Sequence, residues 1–409
     1  MTTYPMSSRD CNRLDVLTRR RRDELTQAHA AALLRLSIRQ VRRLTRRVEQ
    51  FGPRGLAHGN RGRTGNHRMS AVERSTIICL LRAHYPDFGP TLAAEKLSER
   101  HGITRDPKTV RAILMAEGLW HPRRARPRSE HRSWRQRKAA LGEMIQFDGS
   151  YEDWFEDRGE CCCLLAAIDD ATGSVLHTQF VADEGVFPVF AFWKGSIERL
   201  GVPRSIYVDR FSTYKMTQRV AVENPDLKTQ FQRALEELRC EAIFAHSPQA
   251  KGRVERLFGT LQDRLIKELR LAGISTIAAA NRFLADVFLP KFNARFAVAP
   301  ASPANLHRPL TARERGHLDA IFSRQETRVV RNDWTVAHGN QWYQLTRHQP
   351  VTVCRKDTVT VEERLDGTIR FRLRGKYLNT ISIPARPCKI RDLPWVLAKT
   401  AATVPATVR

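Results

Sequence analysis

The chain has 409 residues, 42% of them hydrophobic, and a formal net charge of +26. That apolar content excludes a disordered polyelectrolyte. With no apolar run of membrane-spanning length and no signal-peptide core, it points to a soluble cytoplasmic protein of two to four domains, with no membrane partner. The charge is lopsided: residues 1–140 hold 31 Lys/Arg against 12 Asp/Glu, and residues 141–409 hold 38 against 31. The first third is therefore the main footprint for a polyanion.

Residues 1–17 are polar and are expected to be poorly ordered. Thr26 to Leu34 reads as a short helix, broken at Leu36-Ser37. Ser37 can cap a second helix, Ile38–Gln50, which buries Ile38, Val41, Leu44 and Val48. That helix exposes Arg39, Arg42, Arg43, Arg46 and Arg47. Two short helices with a tight turn, the second Arg-studded, resemble a helix-turn-helix over residues 1–60, with Ile38–Gln50 on double-stranded DNA. The plainer reading is a helical hairpin with a solvated basic face. Residues 58–67 read as a flexible basic linker. A second helix-turn-helix module is expected over 68–120: a helix capped by Ser70, a turn at 86–90, a helix from Thr91 to His101, and one from Pro107 to Glu117 whose Lys108 and Arg111 could face phosphate. Residues 121–140, rich in Arg, form a basic linker suited to the DNA backbone.

At residue 143 the composition changes. Strands are expected at Met144–Asp148, Cys161–Ile168, Ser174–Val181, Ser205–Asp209 and Cys240–Ala245, with helices at Val186–Leu200 and Leu227–Leu238 and another after Ser247. Three strands, then helix, strand, helix, strand, helix make a mixed sheet flanked by helices over 141–298, with residues 275–296 helical and open to a break at Pro290. The cysteines Cys161-Cys162-Cys163 read as small buried residues rather than metal ligands. Short strands from Val329 to Leu373, including Gln349–Cys354 and an Asp366-Gly367 hairpin, suggest a small β-barrel over 325–385, followed by a basic tail, 386–409.

Two acids, Asp148 and Asp209, end strands. A third, Glu255, stands early in a helix that buries Val254, Phe258, Leu261 and Leu265, with Lys251, Arg253 and Arg256 around it. Taken alone, Glu255 favours an ordinary ion pair. Convergence with two strand-end acids reverses that preference, because three carboxylates repel unless cations neutralise them. An all-oxygen set suits two Mg²⁺ or Mn²⁺ ions working on a phosphodiester. Among rival acids, Asp169 and Asp170 sit in a hairpin turn, Glu152, Asp153, Glu156 and Asp157 form an acidic loop expected to be solvated, and Asp263 is expected to pair with Arg.

The stretches Gln146-Phe147-Asp148-Gly149-Ser150, Val208-Asp209-Arg210 with Tyr214-Lys215, and Ser247-Pro248-Gln249-Ala250-Lys251-Gly252-Arg253-Val254-Glu255-Arg256 resemble the integrase catalytic core of bacterial insertion-sequence transposases, in particular the ISNCY group of integrase-like DDE enzymes. The resemblance implies a helix-turn-helix front, an RNase H-like core and a small β-barrel behind. It implies Asp148, Asp209 and Glu255 as catalytic metal ligands, with Lys251 and Arg253 touching DNA beside them. It also implies a nucleoid-associated bacterial enzyme that cuts transposon ends and joins them to target DNA as at least a dimer. The 46-residue step from Asp209 to Glu255 is longer than in retroviral integrases, and their zinc-binding front module has no counterpart here. The alternatives are a metal-dependent nuclease on the same fold and a DNA-binding regulator with an inactive core.

Overall fold

The structure, a computed structural model, describes residues 6–57, 68–122, 136–208, 230–244 and 252–385. It divides into two compact units, Met1–Pro86 and Asp87–Arg409.

The first unit holds α1 (Ser8–Arg21), α2 (Gln27–Leu34), α3 (Ile38–Phe51) and α4 (Ala71–His84). Each helix starts on a hydroxyl cap: Ser7, Thr26, Ser37 and Ser70 accept from Asp10, His29, Gln40 and Glu73 N–H. Such caps satisfy one of the orphan donors of the first turn. The first helix occupies a stretch expected to be poorly ordered. Asp10 in its first turn and Arg19, Arg20 and Arg21 in its last complement the helix dipole, and Val16 and Leu17 join Ala30, Ala31, Val41, Leu44 and Leu56 in one core. Ile38, expected inside, is exposed. After α3 the chain folds back so closely that a Cβ on Gly55 would lie 2.1 Å from the Arg47 carbonyl oxygen. Only glycine fits there.

The second unit begins with α5 (Pro90–His101) and α6 (Pro107–Ala116), the latter capped by Asp106. A five-stranded sheet follows: β1 (Ile145–Glu152), β2 (Cys162–Asp169), β3 (Val175–Val181), β4 (Ser205–Val208) and β5 (Glu241–Phe244), in the order β3-β2-β1-β4-β5. The first three strands are antiparallel neighbours, while β4 and β5 run parallel to β1. This is the mixed sheet expected from the sequence. Every residue of β2 is buried, as required of a strand covered on both faces. On one face, α7 (Val186–Leu200), α8 (Gln230–Glu237) and α12 (Ala312–Ile321) pack around Phe147, Phe190, Trp193, Phe231 and Phe322. On the other lies α9 (Gly252–Leu271), with α10 (Ile277–Phe283) and α11 (Leu289–Phe296), around Trp154, Leu164, Phe180, Leu261 and Phe288.

The helical stretch 275–296 is interrupted at a π-helical turn, Leu284–Phe288, rather than at Pro290, which sits in the first turn of α11 where a missing N–H costs little. An ion-paired seam joins α5 to α9. Arg264 forks onto Glu95 at 2.8 Å through both nitrogens, and the buried Lys96 reaches Glu268 at 2.7 Å.

The C-terminal strands do not close a barrel. Among the described residues they form two sheets around one core of Val336, Tyr343, Val359, Val361 and Phe371. The four-stranded sheet contains β6 (Arg324–Val329), β9 (Thr358–Glu363), β10 (Ile369–Leu373) and β11 (Lys376–Tyr377). The three-stranded sheet contains β7 (Thr335–His338), β8 (Gln341–Leu345) and β12 (Thr380–Ile383). The stretch Gln349–Cys354 is not a strand. Pro350 lacks a ladder donor, and the Gln349 side chain bonds the Thr346 and Asn379 backbone instead. The Asp366-Gly367 hairpin is present, with Gly367 at φ 79°.

Candidate active site

Strand alternation places Gln146, Asp148 and Ser150 on the sheet face that meets α9. The opposite face is identified by Phe147, whose ring lies 5.1 Å from Phe192 and 5.2 Å from Trp193. On the α9 side, the Val254 N–H donates to Gln146 Oε1 at 3.2 Å, and Gln262 Nε2 reaches Ser150 Oγ at 3.4 Å and Glu152 Oε1 at 2.9 Å. Helix and strand therefore run alongside one another. Glu255, exposed in the first turn, lies seven residues before Gln262, two turns back on the same helical side and about 10.5 Å along the axis. That sets it beside the Gln146–Asp148 segment. Asp148 is half-buried.

The β1–β4 register pairs Ile145 with Ile206 and Gln146 with Tyr207. Val208, the last residue of β4, directly precedes Asp209 in the chain. Asp209 itself lies outside the described residues, as do Lys251 and Arg210. Among the described residues no three His, Cys, Asp or Glu side chains gather to hold a metal ion. Of the three acids expected to do so, two are described. Both offer hard oxygen donors, and the exposed Glu255 leaves room for further ligands, so their chemistry fits a hard divalent cation.

The two acids of the turn after β2 behave differently. Asp169 ties its own turn and also reaches the segment ahead of β1: its Oδ2 accepts from Thr172 N–H and Oγ1, both at 2.8 Å, and its Oδ1 from Gly142 N–H at 2.9 Å. Asp170, fully buried, reaches out of the turn. Its Oδ1 accepts from Gln146 Nε2 at 2.8 Å and pairs with the Arg253 guanidinium, while its Oδ2 accepts from Lys138 N–H at 2.9 Å. Arg253, expected on DNA, thus turns inward, its side chain 12% exposed. Sequence reasoning missed both Gln146 and Asp170. The available signal was a lone amide in an otherwise apolar strand.

Other expectations also change. Glu156, placed in a solvated loop, accepts Arg270 Nε at 3.0 Å and Nη2 at 2.6 Å. Asp263 pairs with Lys267 at 2.7 Å rather than with an arginine. Burial pushes the Cys162 thiol up to about 11 and Cys163 to about 12, so both stay protonated at neutral pH, as apolar core residues do.

The other described basic residues expected on DNA fall on two helices. On α3, Arg39, Arg42, Arg43 and Arg46 are exposed. Arg42 also bonds Gln27 at 2.9 Å, and the half-buried Arg47 donates to the Ala57 carbonyl at 3.0 Å. On α6, Lys108 and Arg111 are exposed, with the Arg111 guanidinium 5.2 Å from the Trp120 ring centre.

A helix-turn-helix domain family matches residues 12–64. Among solved structures the chain is similar to a chain of the simian T-cell lymphotropic virus intasome in complex with the PP2A regulatory subunit B56 gamma (17% identity, TM-score 0.34, 76% of this chain and 99% of that one). It is also similar to the HTLV-2 integrase catalytic core domain in complex with magnesium (18% identity, TM-score 0.31, 42% of this chain and 100% of that one). At those scores the likeness carries no argument, and the fold rests on the strand order above. The transposase for insertion sequence IS1202 of Streptococcus pneumoniae is 29% identical over 392 residues, 87% of this chain and 82% of the relative. The Sinorhizobium fredii protein y4bF, described as a transposase, is 40% identical over 378 residues, 92% of this chain and 82% of the relative. On that identity, sustained across most of both chains, this chain belongs to the transposases.

Proposed function

We propose that the protein is the DNA transposase of an insertion sequence and uses Asp148, Asp209 and Glu255 as a DDE triad. The observation that supports this reading is the seating of the first turn of α9 on β1 through the Gln146–Val254 bond, which joins the residue before Glu255 to the residue two before Asp148. The parallel neighbour β4 ends at Val208, one residue before Asp209. Glu255 is exposed, as are Arg256 and Gly259 near it on α9, so it is open to a ligand from outside the chain.

The three carboxylates would hold Mg²⁺ or Mn²⁺, in a pair. Bound there, the metal supplies Lewis acidity at the phosphate, favouring deprotonation of the attacking oxygen and stabilising the leaving one. The chain's own task is to bind and align two phosphodiesters in turn. In the first reaction a water oxygen attacks phosphorus at the transposon end, and the 3′-oxygen leaves and takes a proton. In the second that 3′-hydroxyl attacks a target phosphodiester, and the displaced target 3′-oxygen leaves as a hydroxyl. Each step exchanges one P–O bond for another, so neither needs ATP or a covalent protein intermediate.

Transposon ends would be bound by Arg39, Arg42, Arg43, Arg46 and Arg47 of α3 and by Lys108 and Arg111 of α6, with Lys251 beside the acids. Pairing two ends calls for at least a dimer on DNA. Labelled end DNA, cut or pre-nicked, tests the reading. The full chain should bind ends with an affinity that falls steeply with salt and should join pre-nicked ends to target DNA only with Mg²⁺ or Mn²⁺. Cutting without joining would make it a nuclease, and metal-independent binding with neither reaction would make it a regulator.

A further inference from the structure

The bonding around Asp170 is more than a turn requires. Its neighbour Asp169 holds the turn through Thr172 and reaches Gly142, which belongs to neither β1 nor α9. Asp170 instead joins three separate pieces of the chain. They are β1 through Gln146, two residues before Asp148; the first turn of α9 through Arg253, two residues before Glu255; and Lys138, where the basic linker arrives. Gln146 is 1% exposed. Its carboxamide has two orientations that differ only in which end carries the donors. An ionised Asp170 accepts only, so the Nε2 end must face it. The oxygen is then left for the Val254 N–H, one of the orphan donors of a helix first turn. Asp170 thus decides which way Gln146 points, and Gln146 in turn holds the residue next to Glu255.

We propose that Asp170 is a positioning residue for the metal-binding acids: through Gln146 and Arg253 it seats the first turn of α9 on β1 and so sets Glu255 relative to Asp148. This rests on the reading of Glu255 as a metal ligand. Asp170→Asn keeps the size but turns one oxygen into a donor, so an N–H must face the Gln146–Arg253 side or Lys138 N–H, donor against donor.

The test uses the full chain, with amide hydrogen exchange in the first turn of α9 and, separately, Mn²⁺ titration of strand joining. Asp170→Asn should speed exchange at Val254–Arg256 about ten-fold, the equivalent of one lost bond to a charged group. It should raise the Mn²⁺ needed for half-maximal joining several-fold and leave end binding as in the wild type. Arg253→Met should do the same to a lesser degree and, combined with Asp170→Asn, add little. It also serves if Asp170→Asn does not fold. Arg253→Lys, which restores the cation, should recover most of the metal response. Asp169→Asn should lower the melting temperature without moving the Mn²⁺ requirement. Wild-type exchange and Mn²⁺ response in both Asp170→Asn and Arg253→Met, with joining still abolished by Glu255→Gln, would overturn the positioning role and leave the catalytic reading intact. Full joining by Glu255→Gln would overturn the catalytic reading itself, whatever the exchange shows.

Discussion

Two residues outside the candidate acid set contribute to how the protein should respond to pH. His177, half-buried 4.5 Å from the Phe192 ring centre, is held down to about 4 by burial and then by the Arg199 charge. The unfolded ring takes up its proton near 6.5. The native state then binds fewer protons, so this contribution to stability is present above 6.5 and is lost as pH falls toward about 4. Glu314 behaves as a carboxylate does. The Arg308 guanidinium, bonded to it at 2.8 Å through both nitrogens, holds it down to about 2, and Thr311 completes a capping box on α12. Its contribution is present above about 4.5 and is lost as pH falls through about 2. Denaturant midpoints taken from pH 7 to 2 should therefore fall in two stages. His177→Phe should shrink the upper stage and Glu314→Gln the lower, and an unchanged profile in either would remove that residue from the account. Thr311→Ala should cost about 1 kcal/mol at neutral pH.

At the scale of elements, the edge strand β3 carries the clearest consequence. An exposed strand edge is a template for pairing with another chain. Here two asparagines occupy it in place of a sixth strand. Asn281 bonds the Phe180 N–H and carbonyl at 2.7 and 3.0 Å, and Asn293 bonds those of Val175 at 2.8 and 2.9 Å. Twelve residues of ordinary helix would turn the second asparagine about a third of a turn away from the first. The π-helical turn Leu284–Phe288 absorbs one residue, so both face the strand. The double variant Asn281→Ala, Asn293→Ala should lose about 2 kcal/mol and associate through the freed edge, giving concentration-dependent light scattering. A monodisperse variant of wild-type stability would show the edge to be protected by other means. None of this was legible in the sequence, because side-chain amides standing in for a strand leave no mark on hydrophobic periodicity. The central sheet was legible because its strands alternate or run continuously apolar between turn residues. Asp170 was misjudged for a related reason: aspartate in a turn normally bonds its own turn, and its long-range partners appear only once β1 and α9 are packed. The first helix was missed because Val16 and Leu17 are its only buried anchors, and the two C-terminal sheets were expected as a barrel because strand spacing does not encode closure.

Over the whole molecule, the charge asymmetry marked the first third as the polyanion footprint, and the helix-turn-helix match falls there. The second unit carries more than the central sheet, since α5 is tied to α9 by Arg264–Glu95 and Lys96–Glu268. The helix that presents Glu255 is thus anchored at its first turn by Gln146 and along its length by α5. The central claim is that one set of acids performs both cutting and joining. It is tested most directly by comparing Asp148→Asn, Asp209→Asn and Glu255→Gln with the wild type on labelled transposon-end DNA, uncut and pre-nicked, in Mg²⁺. Each substitution keeps the size of the side chain and removes the charge that would hold metal. The expected result is loss of both reactions, by at least about a thousand-fold, with folding and end binding retained. Near-wild-type joining by Glu255→Gln or Asp148→Asn would contradict the account.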